Sequence, residues 1–350
     1  GTLDPGGSVT LDKIPGSYWI PAIFVKIFGF STWAVNAPNA IATVATVIVI
    51  AITTKNLYGK TAGLIAGAIF ATTPIVAAVS RSNQPQSFFL LTLAISGWAA
   101  VKALQNNSRK YLILAGVWIA VAFHTYMLEA WAIWPALIIA YLFTEQRLIK
   151  KLLDLLIAGT TSLILSLTWI IIVTLIPASH RPYIGGTYHN NPFEMVFGYN
   201  GLGRFTSSSN SLSSTSDSPI FRSFTPPFGG EPGIGRLFNY NVGGQIAWLI
   251  PTTIVAIAIV VIFKQKRAIT TFLAGWALIF FAMFSAVGGI HQFYVSSLAI
   301  PMAIVIASAI ALARQHKSQN SEIALLGTTA LWTFYLANNY QNYFSWAPYV

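Results

Sequence analysis

A few charged and polar side chains stand out in an otherwise apolar chain, and their types suit acid–base and anion-binding chemistry. Asp12 and Lys13 are adjacent, and His124, Tyr126 and Glu129 fall within one short stretch. A carboxylate can accept a proton or bind a metal, and a cation can hold an anionic group. Further candidates of the same kind are Arg81, Arg181, Arg204 and His291. The sequence therefore predicts a polar site with several cations and a few carboxylates.

Each of these residues also has a purely structural interpretation, and the sequence leaves both open. Asp12-Lys13 could be a solvated turn, and Arg81 could only reach towards lipid headgroups. On an apolar helix, His124 could be a hydrogen-bonded packing residue. His291 and His189 could bind a metal together with Asp12, but no metal-ligand spacing such as H-E-x-x-H is present.

The composition indicates that these residues are positioned by membrane-spanning helices. Of the 350 residues, 55% are apolar and only 8% are charged, and there is no cysteine. Soluble chains carry about a quarter charged residues. The basic residues are scattered singly through apolar runs, which excludes the clustered basic face of a nucleic-acid-binding protein. Disulfides and thiolate metal sites are excluded as well.

The apolar runs predict an all-α, polytopic transmembrane bundle. A spanning helix needs roughly 20 apolar residues, and about ten such spans are expected here. The stretch 111–143 is long enough for two helices, with a break at the polar cluster around Tyr126. An apolar element at 17–30 reads as an interfacial helix. The other predicted spans are 33–54, 61–79, 87–104, 152–176, 245–263, 268–288, 293–312 and 321–338.

Basic residues in alternate short loops orient these spans. Most of them fall in five loops, near residues 55–60, 102–110, 147–151, 264–267 and 314–317. Such loops are cytoplasmic by the positive-inside rule. The opposite, extracytoplasmic side then receives the N-terminal segment, the turn 80–86, the break near 125–130 and a long loop at 177–244. It also receives the carboxylates Asp4, Asp12, Glu129, Glu194, Asp217 and Glu231.

The chain is predicted to form a single transmembrane domain over 1–350. Residues 1–30 would form the first outer loop and the interfacial helix. Within the long loop, the Ser-rich composition of 206–219 predicts a flexible tether between two segments that are rich in Gly, Pro and aromatic residues. Because the chain begins Gly-Thr-Leu-Asp, we expect it to be a piece of a longer protein with a spanning helix upstream.

Several loop strings, taken in order, resemble one family. The chain is similar to bacterial protein-O-mannosyltransferase-like membrane glycosyltransferases of the GT-C class, relatives of the aminoarabinose transferase acting on lipid A. The resemblance reaches to about residue 312. It rests on LDPGGSVTLDKIPGSYW (3–19), SRSNQPQ (80–86), RPYIGGT (181–187), FGYNGLGRF (197–205), FGGEPGIGRLFN (228–239) and GGQIAWLIP (243–251).

The resemblance implies transfer of a sugar from a polyprenyl-phosphate carrier to an acceptor hydroxyl on the outer face. It makes Asp12 a candidate base or metal ligand and Asp4 a second catalytic carboxylate. Donor-phosphate contacts would be Lys13, Arg81, Asn83 and Tyr126. Residues of the substrate loops would be His124, Glu129, Arg181, Tyr183, Tyr199, Asn200, Arg204 and His291. The implied partners are the lipid-linked sugar, the acceptor and membrane lipid, with no nucleic acid; the cofactor stays open, a divalent metal being the candidate.

The chain departs from the family pattern at three positions. Where the family usually has Lys-Pro-Pro, this chain has Lys-Ile-Pro, with Ile14 at the middle position. The family's Asn-Pro-Asp is replaced by Gln-Pro-Gln, which ends at Gln86 and lacks the carboxylate. The family's Thr-Lys-Met is replaced by Thr-Tyr-Met, with Tyr126 in place of the lysine. These changes keep open a binding-only homologue that has lost transfer. A lipid-carrier or anion transporter is another alternative, but no matching halves are visible in the sequence.

Overall fold

The computed structural model describes residues 11–206, 228–263 and 267–339, and this part of the chain is helical without a strand. The expected all-α fold is confirmed. Asp4 and Asp217 lie outside the described residues, as does the predicted tether apart from Thr206. The helices longer than one turn are α1 Gly16–Phe28, α2 Thr32–Tyr58, α3 Lys60–Thr72, α4 Pro74–Ser80, α5 Gln86–Asn106, α6 Arg109–Tyr126, α7 Trp134–Leu142 and α8 Leu148–Leu175; after the short α9 Gly203–Thr206 and α10 Gly243–Ile246 come α11 Ile250–Ile262, α12 Arg267–Ala286, α13 Ala299–Gln315 and α14 Gln319–Asn339.

Seven helical segments in the described part are long and apolar enough to cross a membrane. The pair α3 and α4, bent by 69° at Thr73, makes an eighth if it is one span. The prediction of about ten spans is therefore only approximate, since the described part of the chain has seven or eight. The difference lies in α14, whose polar ends leave too short an apolar stretch, and in the segment Arg109–Leu142, which counts once by length.

The segment Arg109–Leu142 nevertheless reverses direction, as the sequence predicted. A straight helix of this length would span about 50 Å. Yet Arg109, at its start, and Tyr141, near its end, both donate to the carboxylate of Asp154, the tyrosine at 3.0 Å. Both ends therefore lie at the same end of the bundle. The reversal occurs at Met127, whose φ of 55° is outside the helical region and which starts a 3₁₀ segment, Met127–Ile133.

Helix α1 covers most of the element at 17–30 that the sequence predicts to be interfacial. It has 13 residues, too few to span a bilayer, and exposes Trp19, Ile23 and Ile27. Its first residue, Gly16, packs against the end of α6 so closely that a Cβ there would lie 2.3 Å from the His124 carbonyl oxygen. This contact fixes the preceding loop, which carries Asp12 and Lys13, beside the break in the α6–α7 hairpin.

Candidate functional site

Two neighbouring cavities open at the predicted outer end of the bundle. The larger, of about 450 Å³, is walled mainly by apolar side chains from the α6–α7 break, the π-helix Glu194–Leu202 and the end of α12. The second, of about 300 Å³, contains Asp12. We call them the apolar and the polar cavity. The residues common to both walls are Lys13, Tyr126, Arg204 and Tyr294.

Asn200 connects the charged residues of this shared wall. Its Oδ1 accepts hydrogen bonds from Lys13 Nζ at 3.0 Å and from Arg204 Nη2 at 3.2 Å. Its Nδ2 donates to the backbone oxygens of Asp12 at 2.8 Å and Met195 at 3.1 Å. One side chain of the long loop thus fixes a lysine that is 187 residues away in sequence.

Arg204 is almost fully buried, which requires partners for its charge. Besides Asn200, it donates to the Gly289 carbonyl oxygen. The guanidinium carbon also lies 5.5 Å from the ring centre of Tyr294 and 6.0 Å from that of Tyr199. Attraction to aromatic faces is a recognised way of holding an arginine away from water. Arg204 is therefore rigidly placed in the shared wall.

Asp12 and Lys13 form an ion pair at this wall, with Lys13 Nζ 3.1 Å from an Asp12 carboxylate oxygen. Burial lowers the pKa of Lys13, and the charge of Arg204 lowers it further, while Asp12 acts in the opposite direction. A lysine in this setting favours an additional anion, because a second negative charge would offset both effects.

Glu129 is placed in the wall of the apolar cavity by the 3₁₀ segment after the break. Its Oε1 accepts a hydrogen bond of 2.7 Å from Ser297 Oγ. An ionisable group facing a cavity inside a membrane protein is a candidate for substrate contact. The structure therefore keeps Glu129 among the candidates.

His291 stands at the far side of the polar cavity, in a stack of rings. Its ring lies 4.9 Å from those of both Phe228 and Phe293, at interplanar angles of 20° and 9°. Burial lowers the pKa of His291, as do the charges of Arg204 and Lys13. These effects favour the neutral imidazole.

Of the residues expected at the site, several lie elsewhere. Arg81 lines a separate groove with Trp33, and its side chain and that of Asn83 are exposed. His124 Nε2 lies 2.9 Å from the Leu165 carbonyl oxygen of α8, so His124 has the contact of a packing residue.

The arginine and tyrosine at the start of the long loop hold that loop together. Arg181 donates to backbone oxygens at the end of α8, including that of Val173 at 2.7 Å, and to Asn190. Cations favour the C-terminal end of a helix because its last carbonyl groups lack partners. Tyr183 donates to the Thr187 carbonyl oxygen. Neither residue lines the two cavities.

Sequence reasoning missed part of the shared wall. Tyr294 stands against both Arg204 and Tyr126, its ring centre 5.3 Å from that of Tyr126. It was assigned to an apolar span, although it follows His291 by three residues. Trp131, in the aromatic wall of the apolar cavity, was missed for the same reason, whereas Phe197 lies in a loop string of which only Tyr199, Asn200 and Arg204 were singled out.

The metal suggestion finds little support in the geometry. Within residues 11–206, 228–263 and 267–339, no three His, Asp or Glu side chains are close enough together to hold an ion. His189 lies 3.6 Å from the carboxylate of Glu194, not beside Asp12.

Comparison with known proteins gives a consistent result. Residues 12–172 match the family described as "Dolichyl-phosphate-mannose-protein mannosyltransferase". Two Bacillus subtilis proteins are similar to this chain. "Putative mannosyltransferase YkcB" is 30% identical over 96% of the chain, and "Putative mannosyltransferase YycA" is 30% identical over 86%. The chain spans 60% and 56% of their lengths.

Among solved structures, the fold is similar to that of ArnT from Cupriavidus metallidurans bound to undecaprenyl phosphate. The TM-score is 0.64 at 16% identity, covering 93% of this chain and 54% of ArnT. The Archaeoglobus fulgidus oligosaccharyltransferase AglB, in complex with an inhibitory peptide and a dolichol-phosphate, gives a TM-score of 0.56 at 14% identity. That match covers 94% of this chain and 47% of AglB.

Proposed function

We propose that this chain is a membrane glycosyltransferase of the GT-C class, which transfers a sugar from a polyprenyl-phosphate carrier to a hydroxyl group of an extracytoplasmic acceptor; the family match and the two Bacillus subtilis relatives support this class. The carrier class is supported by ArnT and AglB, whose structures hold undecaprenyl phosphate and dolichol phosphate. A hexose or pentose is the class of sugar that we propose for the donor. The outer location is supported by the basic residues in the opposite loops.

The observation that carries the proposal is the wall shared by the two cavities. An apolar chamber and a polar chamber meet at Lys13 and Arg204. A lipid-linked sugar has an apolar chain, an anionic phosphate and a polar sugar in that order. The chain would lie in the apolar cavity, the phosphate against the two cations, and the sugar towards Asp12. Binding all three parts at once requires such a junction.

The reaction follows from this placement. Asp12, paired with Lys13 in the structure, becomes available as a base when the donor phosphate takes over the lysine. The acceptor oxygen attacks the anomeric carbon, its proton passes to Asp12, and the bond from that carbon to the phosphate oxygen breaks. The phosphate leaves with the bonding electrons, stabilised by Lys13 and Arg204. A single displacement of this kind inverts the anomeric configuration.

The departures from the family pattern leave this arrangement intact. Ile14 and Gln86 are each 1% exposed and line neither cavity, so they do not reach a substrate there. Only Tyr126 belongs to the shared wall. The charges needed for transfer come from other positions.

The direct test is Asp12→Asn in the full-length protein, reconstituted in vesicles with a radiolabelled polyprenyl-phosphate sugar and an envelope extract as acceptor source. Transfer should be lost, while binding of the donor persists because both cations remain. Glu231→Gln is the matched control, since Glu231 is an exposed carboxylate on the same side. Full turnover by Asp12→Asn would remove this residue as the base. Uptake of labelled donor into the vesicles without transfer would favour a transporter.

A further inference from the structure

A third cavity lies beside the polar cavity and has a different chemical character. Its volume is about 410 Å³, and its wall consists of the three stacked rings of Phe228, His291 and Phe293 with the amides of Asn241 and Gln292. Among the residues that the structure describes, no carboxylate, lysine or arginine belongs to this wall. We call it the ring cavity.

The rings are held in place by backbone contacts between two distant segments. Gly229 N donates to the Ile290 carbonyl oxygen at 2.8 Å, and Asn239 Nδ2 donates to the Gly229 carbonyl oxygen at 2.9 Å. A Cβ on Gly229 would lie 2.5 Å from a side-chain carbon of Ile290, so only glycine permits this approach. The stack is therefore built before any ligand binds.

The two amides are available for a ligand. Within the described part of the chain, no hydrogen bond joins the side chain of Asn241 or Gln292 to another group. Both residues are partly exposed. An amide side chain donates and accepts at once, as a sugar hydroxyl does, and it carries no charge.

Flat rings and neutral amides together fit one class of ligand. The faces of aromatic rings are electron-rich, and they attract the C–H bonds on the flat side of a pyranose. The outer face of Phe228 is accessible, since 51% of this residue is exposed. Within the described residues, this wall has no carboxylate, lysine or arginine of its own, so its chemistry fits a neutral ligand.

The position relative to the reacting groups gives the ligand a role. His291 and Phe293 also line the polar cavity, which contains Asp12 and Lys13. We propose that the ring cavity is a subsite for a neutral sugar of the acceptor, so that the acceptor is a glycan whose next unit extends towards Asp12. This inference rests on the proposed function and deepens it by naming the acceptor class.

The first test is binding, which requires no transfer. Saturation-transfer NMR on the full-length protein in nanodiscs would use maltotriose, cellotriose and chitotriose as probes. At least one should bind, with the strongest transfer to ring C–H protons. Phe228→Leu and Gln292→Leu should each weaken binding about fivefold or more, a loss of roughly 1 kcal/mol. Phe30→Leu, which alters an 87% exposed phenylalanine far along the chain, is the control and should bind as the unchanged protein does.

Two results would overturn the inference: no binding of any of the three neutral probes, or equal binding by Phe228→Leu and the unchanged protein. In the vesicle assay with glycan acceptor, Phe228→Leu should raise the apparent KM for the acceptor and leave that for the donor unchanged. A change confined to the donor KM would assign the cavity to the donor sugar and contradict the proposal. Probe binding without consumption of the lipid-linked donor would refute the proposed function and leave a glycan-binding site.

Discussion

Replacing Asn200 by aspartate would test whether Lys13 and Arg204 hold the donor phosphate. The Asn200 Oδ1 atom lies 3.0 Å from Lys13 Nζ and 3.2 Å from Arg204 Nη2. Asn200→Asp keeps the size of the side chain and places a negative charge between the two cations. The new carboxylate would satisfy both cations and compete with the phosphate. The fold should be retained, because the added attraction to the two cations offsets the lost hydrogen bonds to the backbone oxygens of Asp12 and Met195.

The size of the effect follows from the geometry. A phosphate in contact with both cations would lie about 5 Å from the new carboxylate. At an effective dielectric constant of about 20, two unit charges at that distance repel each other by about 3 kcal/mol. Since about 1.4 kcal/mol corresponds to a tenfold change in affinity, the apparent KM for the donor should rise roughly 100-fold.

The assay is sugar transfer in vesicles at varied donor concentration, with thermal unfolding measured on the same preparations. Asn83→Asp is the control, because it adds the same charge at an exposed position outside both cavities. A donor KM that Asn200→Asp changes less than about threefold, under 1 kcal/mol, would show that the phosphate does not bind between Lys13 and Arg204. An equal rise in Asn83→Asp would instead indicate a general effect of surface charge.

Three further predictions concern pH and stability. Because burial lowers the pKa of Lys13, this residue loses its positive charge at a lower pH than an ordinary lysine does. The apparent KM for the donor should therefore rise as the pH is raised. In the Lys13→Arg variant, whose guanidinium stays charged, the donor KM should not rise at alkaline pH. Asp154→Asn leaves Arg109 without its ion pair and should lower the free energy of unfolding by about 2 kcal/mol, measured as a lower melting temperature. The loss is smaller than for a fully buried pair because Arg109 is partly exposed. Gly97→Ala would place a Cβ 2.5 Å from the Trp276 ring, and denaturant unfolding should show a loss of about 1–3 kcal/mol.

The helices could be predicted from sequence because the signal for each is local. An apolar run of sufficient length is expected to span a membrane wherever it occurs in the chain, and the break before Glu129 is marked by polar residues within the same run. The predicted number of spans was too high where an apolar run is interrupted or shortened by polar residues. Helix α14 has polar residues at both ends, so its apolar stretch is too short.

The composition of the site could be predicted only in part, because residue type does not determine which carbonyl groups and rings lie nearby. Arg181 and Arg204 belong to the same loop and were expected to act together. Arg181 instead satisfies backbone oxygens at the end of α8, whereas Arg204 donates to Gly289 beside the cavities. The contact between Lys13 and Asn200 joins residues 187 positions apart, and no local pattern specifies it.

The net charge of the chain, +11, says little about the site, but the charge left over at the shared wall is informative. Arg204 lies close enough to Lys13 for its charge to lower the pKa of the lysine. Asp12 forms an ion pair with Lys13 and leaves the charge of Arg204 uncompensated. Arg204 is held by neutral groups, namely an amide, a carbonyl oxygen and two aromatic faces. Such groups orient a buried cation without neutralising it. The surplus positive charge is therefore built into the wall and fixed in position, which is the arrangement that a departing phosphate requires.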